Sequence, residues 1–331
     1  MNTPPEPLDV LVIKTLTLPD VSAEEEAMIA EAAGPGASVT VVDGFKPAVE
    51  YIGAANALLG ILPKQLLDAA SELKWVHATA SGVDMFMYDE FLASDIVLTG
   101  EKGLVGGHLA DTAFGLLLAL TRRIKMAIQL GPDGWSSENR QKMRFAEIEL
   151  AGLTMGIVGF GGTGRHMARR AVAFGMDVQA VDAFSVAASD GVDEVWGLDR
   201  LDEVVATSDV LAVGLPLTDE TRGMCNDDFF ARMKDTAILV NVTRGEIIDG
   251  PALERALTAG TIGGAALDVA PVEPLPADSP LWHLDNCVMT PHTAGASQHR
   301  ARRNIERFCR NLVALREGGP MEGVVDLHAG F

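Results

Sequence analysis

Positive charge is in short supply. The chain has 26 Lys and Arg against 46 Asp and Glu, a formal net charge of −20. An acidic surface with no basic stripe argues against nucleic acid as a partner. It also repels anions at long range, so any anion site must be assembled from local positive groups. Cysteine is scarce as well. Cys225, Cys287 and Cys309 are odd in number, far apart and match no metal-ligand spacing, so no metal is expected and a reduced, cytoplasmic compartment fits. Long apolar runs are missing. The best, AFGLLLAL (113–120), ends at Arg122 and Arg123, short of the ~18 apolar residues a membrane span needs. The N-terminal MNTPPEPLDV lacks a basic region followed by an apolar core, so no secretion signal is read.

What remains is a chain of 331 residues with 48% hydrophobic residues and 34 Gly. Such a length predicts two domains, and such a composition an ordered α/β protein. Two series of short apolar runs alternate with helical patterns. The first holds LDVLVIK (8–14), ASVTVVD (37–43), ALLGI (57–61), WVHAT (75–79) and DIVLTG (95–100). Helical spacing lies between them, in SAEEEAMIAEAA (22–33) and KQLLDAASEL (64–73). The second holds TMGIVGF (154–160), DVQAVD (177–182), DVLAVGLP (209–216), TAILVNV (236–242), GGAALD (263–268) and NCVMT (286–290). Solid apolar runs alternating with helices imply strands buried on both faces of a parallel sheet. The fold class is therefore α/β, with two doubly wound parallel-sheet domains.

The joins are readable too. One long helix is expected from near Gly107 to about residue 129, broken by GPDGW (131–135) and followed by an irregular arm to about 150. SQHRARRNIERFCRNLVALREG (297–318) reads as a final helix that returns to the first domain. The boundaries follow: a substrate domain over 1–104 completed by 297–331, and a cofactor domain over 105–296.

GIVGFGGTG (156–164) contains Gly159-x-Gly161-x-x-Gly164 after an apolar strand and before a helical stretch. A lone GxGxxG also serves as a plain strand–helix turn, but here the rest of a dinucleotide site is in order. Asp182 ends the next apolar run, 18 residues beyond Gly164, where a carboxylate can accept both ribose hydroxyls. Gly161, Gly162 and Thr163 open the helix whose amides and dipole suit a pyrophosphate. A carboxylate at 182 would repel a 2′-phosphate, and Ala183-Phe184-Ser185 offers no arginine, so NAD is expected over NADP.

Three strand ends carry the remaining candidates. Arg244 follows TAILVNV, Asp268 and Glu273 follow GGAALD, and His292 follows NCVMT. Taken singly, each has an ordinary structural explanation: a surface ion pair, a solvated loop carboxylate, a hydrogen-bonded histidine. Strand ends at the carboxyl side of a parallel sheet line its ligand crevice, so together they can converge on one ligand.

Over nearly its whole length the chain resembles the NAD-dependent D-isomer-specific 2-hydroxyacid dehydrogenases. The likeness rests on the glycine loop, LPLTDETRG (215–223), NVTRGEIIDGPALERAL (241–257), GGAALDVAPVEPLPADSPLW (263–282), TPHTAG (290–295) and ATASGVD (78–84). It implies a Rossmann cofactor domain beside a flavodoxin-like substrate domain, and a catalytic set of Arg244, Glu273 and His292. It places Asp268 near the nicotinamide carboxamide and brings Leu215, Pro216, Val242, Thr243 and Gly295 into the cofactor set. Ser81, Gly82 and Val83 would receive the substrate carboxylate with Arg244 and His292. The chain departs from the family at Thr163, often Ile or Val, at Asp111, often Glu, at Gly100, often Asn, and at Gly214, often His.

The chemistry suits these residue types. Oxidising a 2-hydroxy acid removes a hydroxyl proton while hydride leaves C2, and imidazole can exchange that proton near neutral pH. Glu273 would orient the ring, and Arg244 would fork onto the carboxylate. The partner is then a 2-oxo or 2-hydroxy acid of the glyoxylate, hydroxypyruvate or pyruvate type, with a larger apolar acid left open, in a pocket lined from 79–88 and 101–108. A homodimer is expected, with the arm near Trp135 reaching across. An NAD(H)-sensing regulatory protein is the alternative. Formate or phosphite oxidation is disfavoured by Glu273, and an allosteric phosphoglycerate dehydrogenase by the absence of a further C-terminal domain.

Overall fold

The computed structural model describes residues 7–330. The described residues divide into two compact units, 7–105 with 296–330 and 106–295. In the first, β1 (Asp9–Ile13), β2 (Ser38–Val42), β3 (Ala57–Gly60), β4 (Trp75–Ala78) and β5 (Val97–Thr99) form a parallel sheet ordered β2-β1-β3-β4-β5. Side chains alternate across it. Leu11, Ile13, Leu58 and Val76 join Phe86 and Phe91 on one face. Val10, Val12, Leu59 and Trp75 meet Ile305, Phe308 and Leu312 of the helix Arg300–Glu317 on the other. The helix Ala23–Ala33 starts where Ser22 and Glu25 cap each other's backbone amides.

A buried polar chain runs beneath that face. Trp75 donates to the Thr99 hydroxyl at 2.8 Å, His77 Nδ1 lies 2.7 Å from the same oxygen, and His77 Nε2 lies 3.2 Å from Asn304 Oδ1. Asn304 in turn donates to the buried Glu101 carboxylate, which Arg300 grips from Nε at 2.9 Å. Burial pushes His77 down from 6.5 to about 4. The unfolded chain therefore binds a proton that the fold refuses, and stability falls as pH drops through 6.5 towards 4. The loss reaches roughly 3 kcal/mol at pH 4. Urea unfolding should show this, and His77→Gln should lose most of the slope. Equal slopes in both proteins would contradict the assignment.

In the second unit, β6 (Thr154–Val158), β7 (Asp177–Val181), β8 (Val195–Trp196), β9 (Val210–Val213), β10 (Ile238–Asn241), β11 (Gly264–Leu267) and β12 (Cys287–Met289) are all parallel. Their order is β12-β11-β10-β9-β6-β7-β8. The chain works outward from β6 to β8, returns to β9 beside β6, and works outward the other way. That reversal is the switch point at which doubly wound sheets bind ligands. One face packs Ile157, Ala212 and Val240 against Ala113 and Leu117 of the helix Gly106–Thr121, and against Met167 and Ala171 of the helix Gly162–Ala173. The other packs Val158, Leu211 and Leu239 against Phe229, Phe230 and Leu253.

Three sequence expectations need correction. The helix expected to run unbroken to residue 129 stops at Thr121 and resumes over Ile124–Leu130. The break is Arg123, which takes the left-handed conformation at φ 54 while its Nε donates to the Ala146 carbonyl at 2.7 Å. The stretch expected to be irregular holds the helix Ser137–Ala146, started by Ser136, whose hydroxyl accepts the Asn139 amide at 3.2 Å. The helical pattern at 64–73 yields only Lys64–Leu67, because Ala69 and Ala70 bond three residues back and tighten the chain into turns. The two-residue edge strand β8 had no apolar run to announce it.

Candidate active site

The glycine loop joins β6 to the helix Gly162–Ala173. Gly159 has φ 95, and a Cβ there would lie 2.8 Å from the Gly214 carbonyl carbon. The loops after β6 and β9 thus pass backbone to backbone, which explains a glycine rather than histidine before Leu215 and Pro216. A Cβ on Gly164 would meet the Gly159 oxygen at 2.2 Å, whereas one on Gly161 meets nothing within 4 Å. Gly161 is the N-cap, and no side chain caps this helix. The open side of the loop is therefore a cradle edged by amides at a helix N-terminus, suited to a pyrophosphate.

Asp182 follows β7, the neighbour of β6. Its Oδ2 accepts the Phe160 amide at 2.7 Å and its Oδ1 the Phe184 amide at 2.9 Å. Each oxygen keeps a second lone pair for a hydroxyl. The loop beyond is tied down by Arg165, which donates to the Ser189 hydroxyl and to the Ala187 carbonyl at 2.9 Å.

On the other side of the switch point, β10, β11 and β12 end side by side, each strand step being about 4.8 Å. Buried Asn241 shapes the turn after β10. Its Nδ2 donates to the Arg244 carbonyl at 2.8 Å, and its Oδ1 accepts the Thr243 amide and hydroxyl at 3.0 Å. The Arg244 guanidinium donates to the Thr243 carbonyl at 3.0 Å. Val242 is buried between them. Next comes Gly245, where a Cβ would lie 1.8 Å from the Ala270 oxygen. Only glycine lets the Arg244 turn press against the loop that carries Glu273.

Asp268, at the end of β11, is 1% exposed, and its carboxylate is a clamp. Oδ1 accepts the Thr290 hydroxyl at 2.6 Å and the Thr293 amide at 2.9 Å, and Oδ2 accepts the Ala294 amide at 2.8 Å. The His292 amide adds a 2.7 Å bond to the Asp268 carbonyl. These bonds hold His292 at φ 53, a conformation a non-glycine residue adopts only where its surroundings over-determine it. Gly295 comes directly after Ala294. So held, His292 Nδ1 lies 2.7 Å from Glu273 Oε2, while Glu273 Oε1 accepts the Ala270 amide at 2.9 Å. Nε2 has no partner among the described residues. A carboxylate fixed by its own backbone thus fixes one ring nitrogen and frees the other for a substrate. Both side chains are partly exposed, at 47% for His292 and 38% for Glu273, so a solute can reach them.

In the first unit, Ser81, Gly82 and Val83 lie after β4. None of their three amides donates a hydrogen bond among the described residues, and successive free amides suit an anion. Burial pushes the thiols of Cys225 and Cys287 up to about 12, so neither is a nucleophile at neutral pH. No helix among the described residues is long and apolar enough to cross a membrane. Sequence reasoning singled out neither Asn241 nor Gly245. Their signal was the buried polar residue and the glycine flanking Arg244.

The family model described as D-isomer specific 2-hydroxyacid dehydrogenase, NAD binding domain, matches residues 114–294. The human protein named glyoxylate reductase/hydroxypyruvate reductase is 32% identical, over 96% of this chain and 99% of its own. Among solved structures, a D-isomer specific 2-hydroxyacid dehydrogenase family protein from Aeromonas salmonicida superposes with TM-score 0.81 at 30% identity, over 97% of this chain and 99% of that one. An NADPH-dependent glyoxylate/hydroxypyruvate reductase from Sinorhizobium meliloti, in complex with NADP and sulfate, superposes with TM-score 0.79 at 26% identity, over 98% and 100%. The sensing alternative draws no support from these relatives. With a family model over more than half of its length and a relative that matches almost end to end, the chain belongs to the D-isomer specific 2-hydroxyacid dehydrogenase family and is an NAD(P)-dependent oxidoreductase of 2-hydroxy acids.

Proposed function

We propose that the chain interconverts a 2-oxo acid and the D-2-hydroxy acid with NADH as the preferred reductant and His292 as acid and base. The observation that carries this is the 2.7 Å contact between His292 Nδ1 and Glu273 Oε2, on a loop clamped by buried Asp268. When bound, the nicotinamide would supply or accept hydride at C2. In reduction, His292 Nε2 gives its proton to the C2 oxygen as that oxygen gains electron density. Glu273 accepts a hydrogen bond from Nδ1–H throughout, so that the ring that has given up its Nε2 proton stays as the neutral Nδ1–H tautomer. Arg244 forks onto the carboxylate and polarises the carbonyl. The amides of Ser81, Gly82 and Val83 take the other carboxylate oxygen. Oxidation reverses each proton movement.

The second unit is the cofactor domain and the first the substrate domain. Gly159, Gly161, Gly162, Thr163 and Gly164 hold the pyrophosphate, and Asp182 the ribose. Leu215, Pro216, Val242, Thr243, Asp268 and Gly295 would hold the nicotinamide half. The relatives' names favour glyoxylate and hydroxypyruvate as first substrates to test. The chain works as a cytoplasmic homodimer. Ile128, Trp135 and Phe145, at 75%, 81% and 79% exposed, give the segment 124–146 an apolar surface for a second copy.

NADH consumption against a panel of 2-oxo acids tests the activity, and no turnover with any acid would refute it. Cofactor choice is the finer test. A carboxylate at 182 accepts ribose hydroxyls and repels a 2′-phosphate, so kcat/KM should favour NADH over NADPH by at least about tenfold, or ~1.4 kcal/mol. Asp182→Ala should narrow that ratio. A wild-type preference for NADPH would overturn the assignment.

A further inference from the structure

The loop that begins with Thr79 is braced by a turn at the end of β1. Thr15 and Leu18 close the turn with a reciprocal pair of backbone bonds, at 3.0 and 3.2 Å. The hydroxyl of Thr15 lies 3.1 Å from that of Thr79, and the hydroxyl of Thr17 donates to the Thr79 carbonyl at 2.6 Å. Leu18 is fully buried, whereas Leu16, between the two pinned threonines, is 98% exposed. A turn tip that served only to reverse the chain would gain nothing from an apolar branched residue there, since polar residues and glycine form such tips at less cost. Here the leucine is fixed, because both neighbours are tied to the strand end that opens the loop 79–83.

A second apolar side chain stands at the other end of the same loop. Val83 is buried, and Met85, two residues on, is 46% exposed. Phe45, after β2 on the same carboxyl edge of the sheet, is 45% exposed. The free amides of Ser81, Gly82 and Val83 thus follow the strand end that the Leu16 turn braces and precede Met85 in the chain. The charges nearby do not suit a second anion. Lys14, just before the turn, is held between Asp20 at 3.3 Å and Asp43 at 3.2 Å, so its charge is already matched.

We propose that Leu16 and Met85 form the wall for the substrate's side chain, and that the preferred substrates are 2-oxo acids with a branched or aromatic apolar side chain. This rests on the assignment of residues 81–83 to the substrate carboxylate. A carboxylate bound there places C3 and its substituents over the flanking side chains. An apolar chain would cover the leucine and methionine from water, while a phosphate or second carboxylate would find Lys14 already matched by Asp20 and Asp43. Apolar pockets discriminate by about 10- to 200-fold between side chains that fill them and those that do not. Glyoxylate, with no side chain, would leave both residues wet.

The test compares 4-methyl-2-oxopentanoate with glyoxylate, using NADH, in the wild type, Leu16→Asp and Leu16→Met. The wild type should show kcat/KM at least tenfold higher for the branched acid. Leu16→Asp should lose tenfold or more on the branched acid, mainly through KM, less than threefold on glyoxylate, and nothing in KM for NADH. Leu16→Met should stay within threefold of the wild type on both acids. A wild type that prefers glyoxylate, or a Leu16→Asp variant that changes both acids alike, overturns the proposal and leaves the 2-oxo acid reductase assignment standing. A wild type that reduces neither acid nor any other 2-oxo acid overturns both.

Discussion

His292→Gln is expected to keep NADH binding and lose two to four orders of magnitude in kcat. Glutamine is polar and of similar reach, so the clamp on the loop survives. Asp268 grips Thr290, Thr293 and Ala294 rather than the imidazole itself. What disappears is a group able to hold and release a proton near neutral pH, worth about 10²- to 10⁴-fold in rate. The loss should appear in kcat in both directions, because one ring nitrogen serves as acid in reduction and base in oxidation. Isothermal titration with NADH separates this from a fault in cofactor binding. A variant within tenfold of the wild-type kcat would remove His292 from the reaction.

Asp268→Asn is expected to lower kcat by ten- to a hundredfold and to cost about 2–4 kcal/mol of stability. The buried carboxylate accepts three hydrogen bonds from the histidine loop. An amide keeps one acceptor oxygen and sets an NH₂ against a backbone N–H that needs an acceptor. Each buried donor so stranded costs about 1–3 kcal/mol. Released from the clamp, His292 can relax from φ 53 towards commoner conformations and turn Nδ1 away from Glu273. If Asp268 only stabilised the fold, kcat measured well below the melting temperature would match the wild type. A loss of kcat in the folded variant, with KM for NADH unchanged, identifies a residue that acts by positioning His292.

Much of this was legible because its physics is local. Apolar runs such as LVNV and GIVG are strands because both faces of a parallel strand are buried. A glycine triad between a strand and a helix, with an acid at the end of the next strand, points to a dinucleotide turn within one short stretch of chain. Arg244, Glu273 and His292 could be nominated because strand ends share one edge of a parallel sheet. What was not legible depends on distant partners. The break at Arg123 is supported by the Ala146 carbonyl, 23 residues away. The pairing of Gly159 with Gly214 is a contact between two loops, which a search along one motif does not see. Asp268 was expected to face the cofactor, but nothing in LDVAP shows that its oxygens are shared among amides some 25 residues further on. Leu16 looked like one more apolar residue after a strand, and only its exposure between two pinned threonines sets it apart.

The central claim is that Glu273 and His292 handle the substrate proton as a pair. The most direct measurement is a double-mutant cycle in kcat, with Glu273→Gln, His292→Gln and the double variant assayed in both directions. The carboxylate reaches the reaction only through the ring it contacts at 2.7 Å. Glu273→Gln should therefore lower kcat in both directions, and the double variant should be no slower than His292→Gln alone. Losses that multiply in the double variant, or a Glu273→Gln variant with wild-type kcat in both directions, would contradict the account.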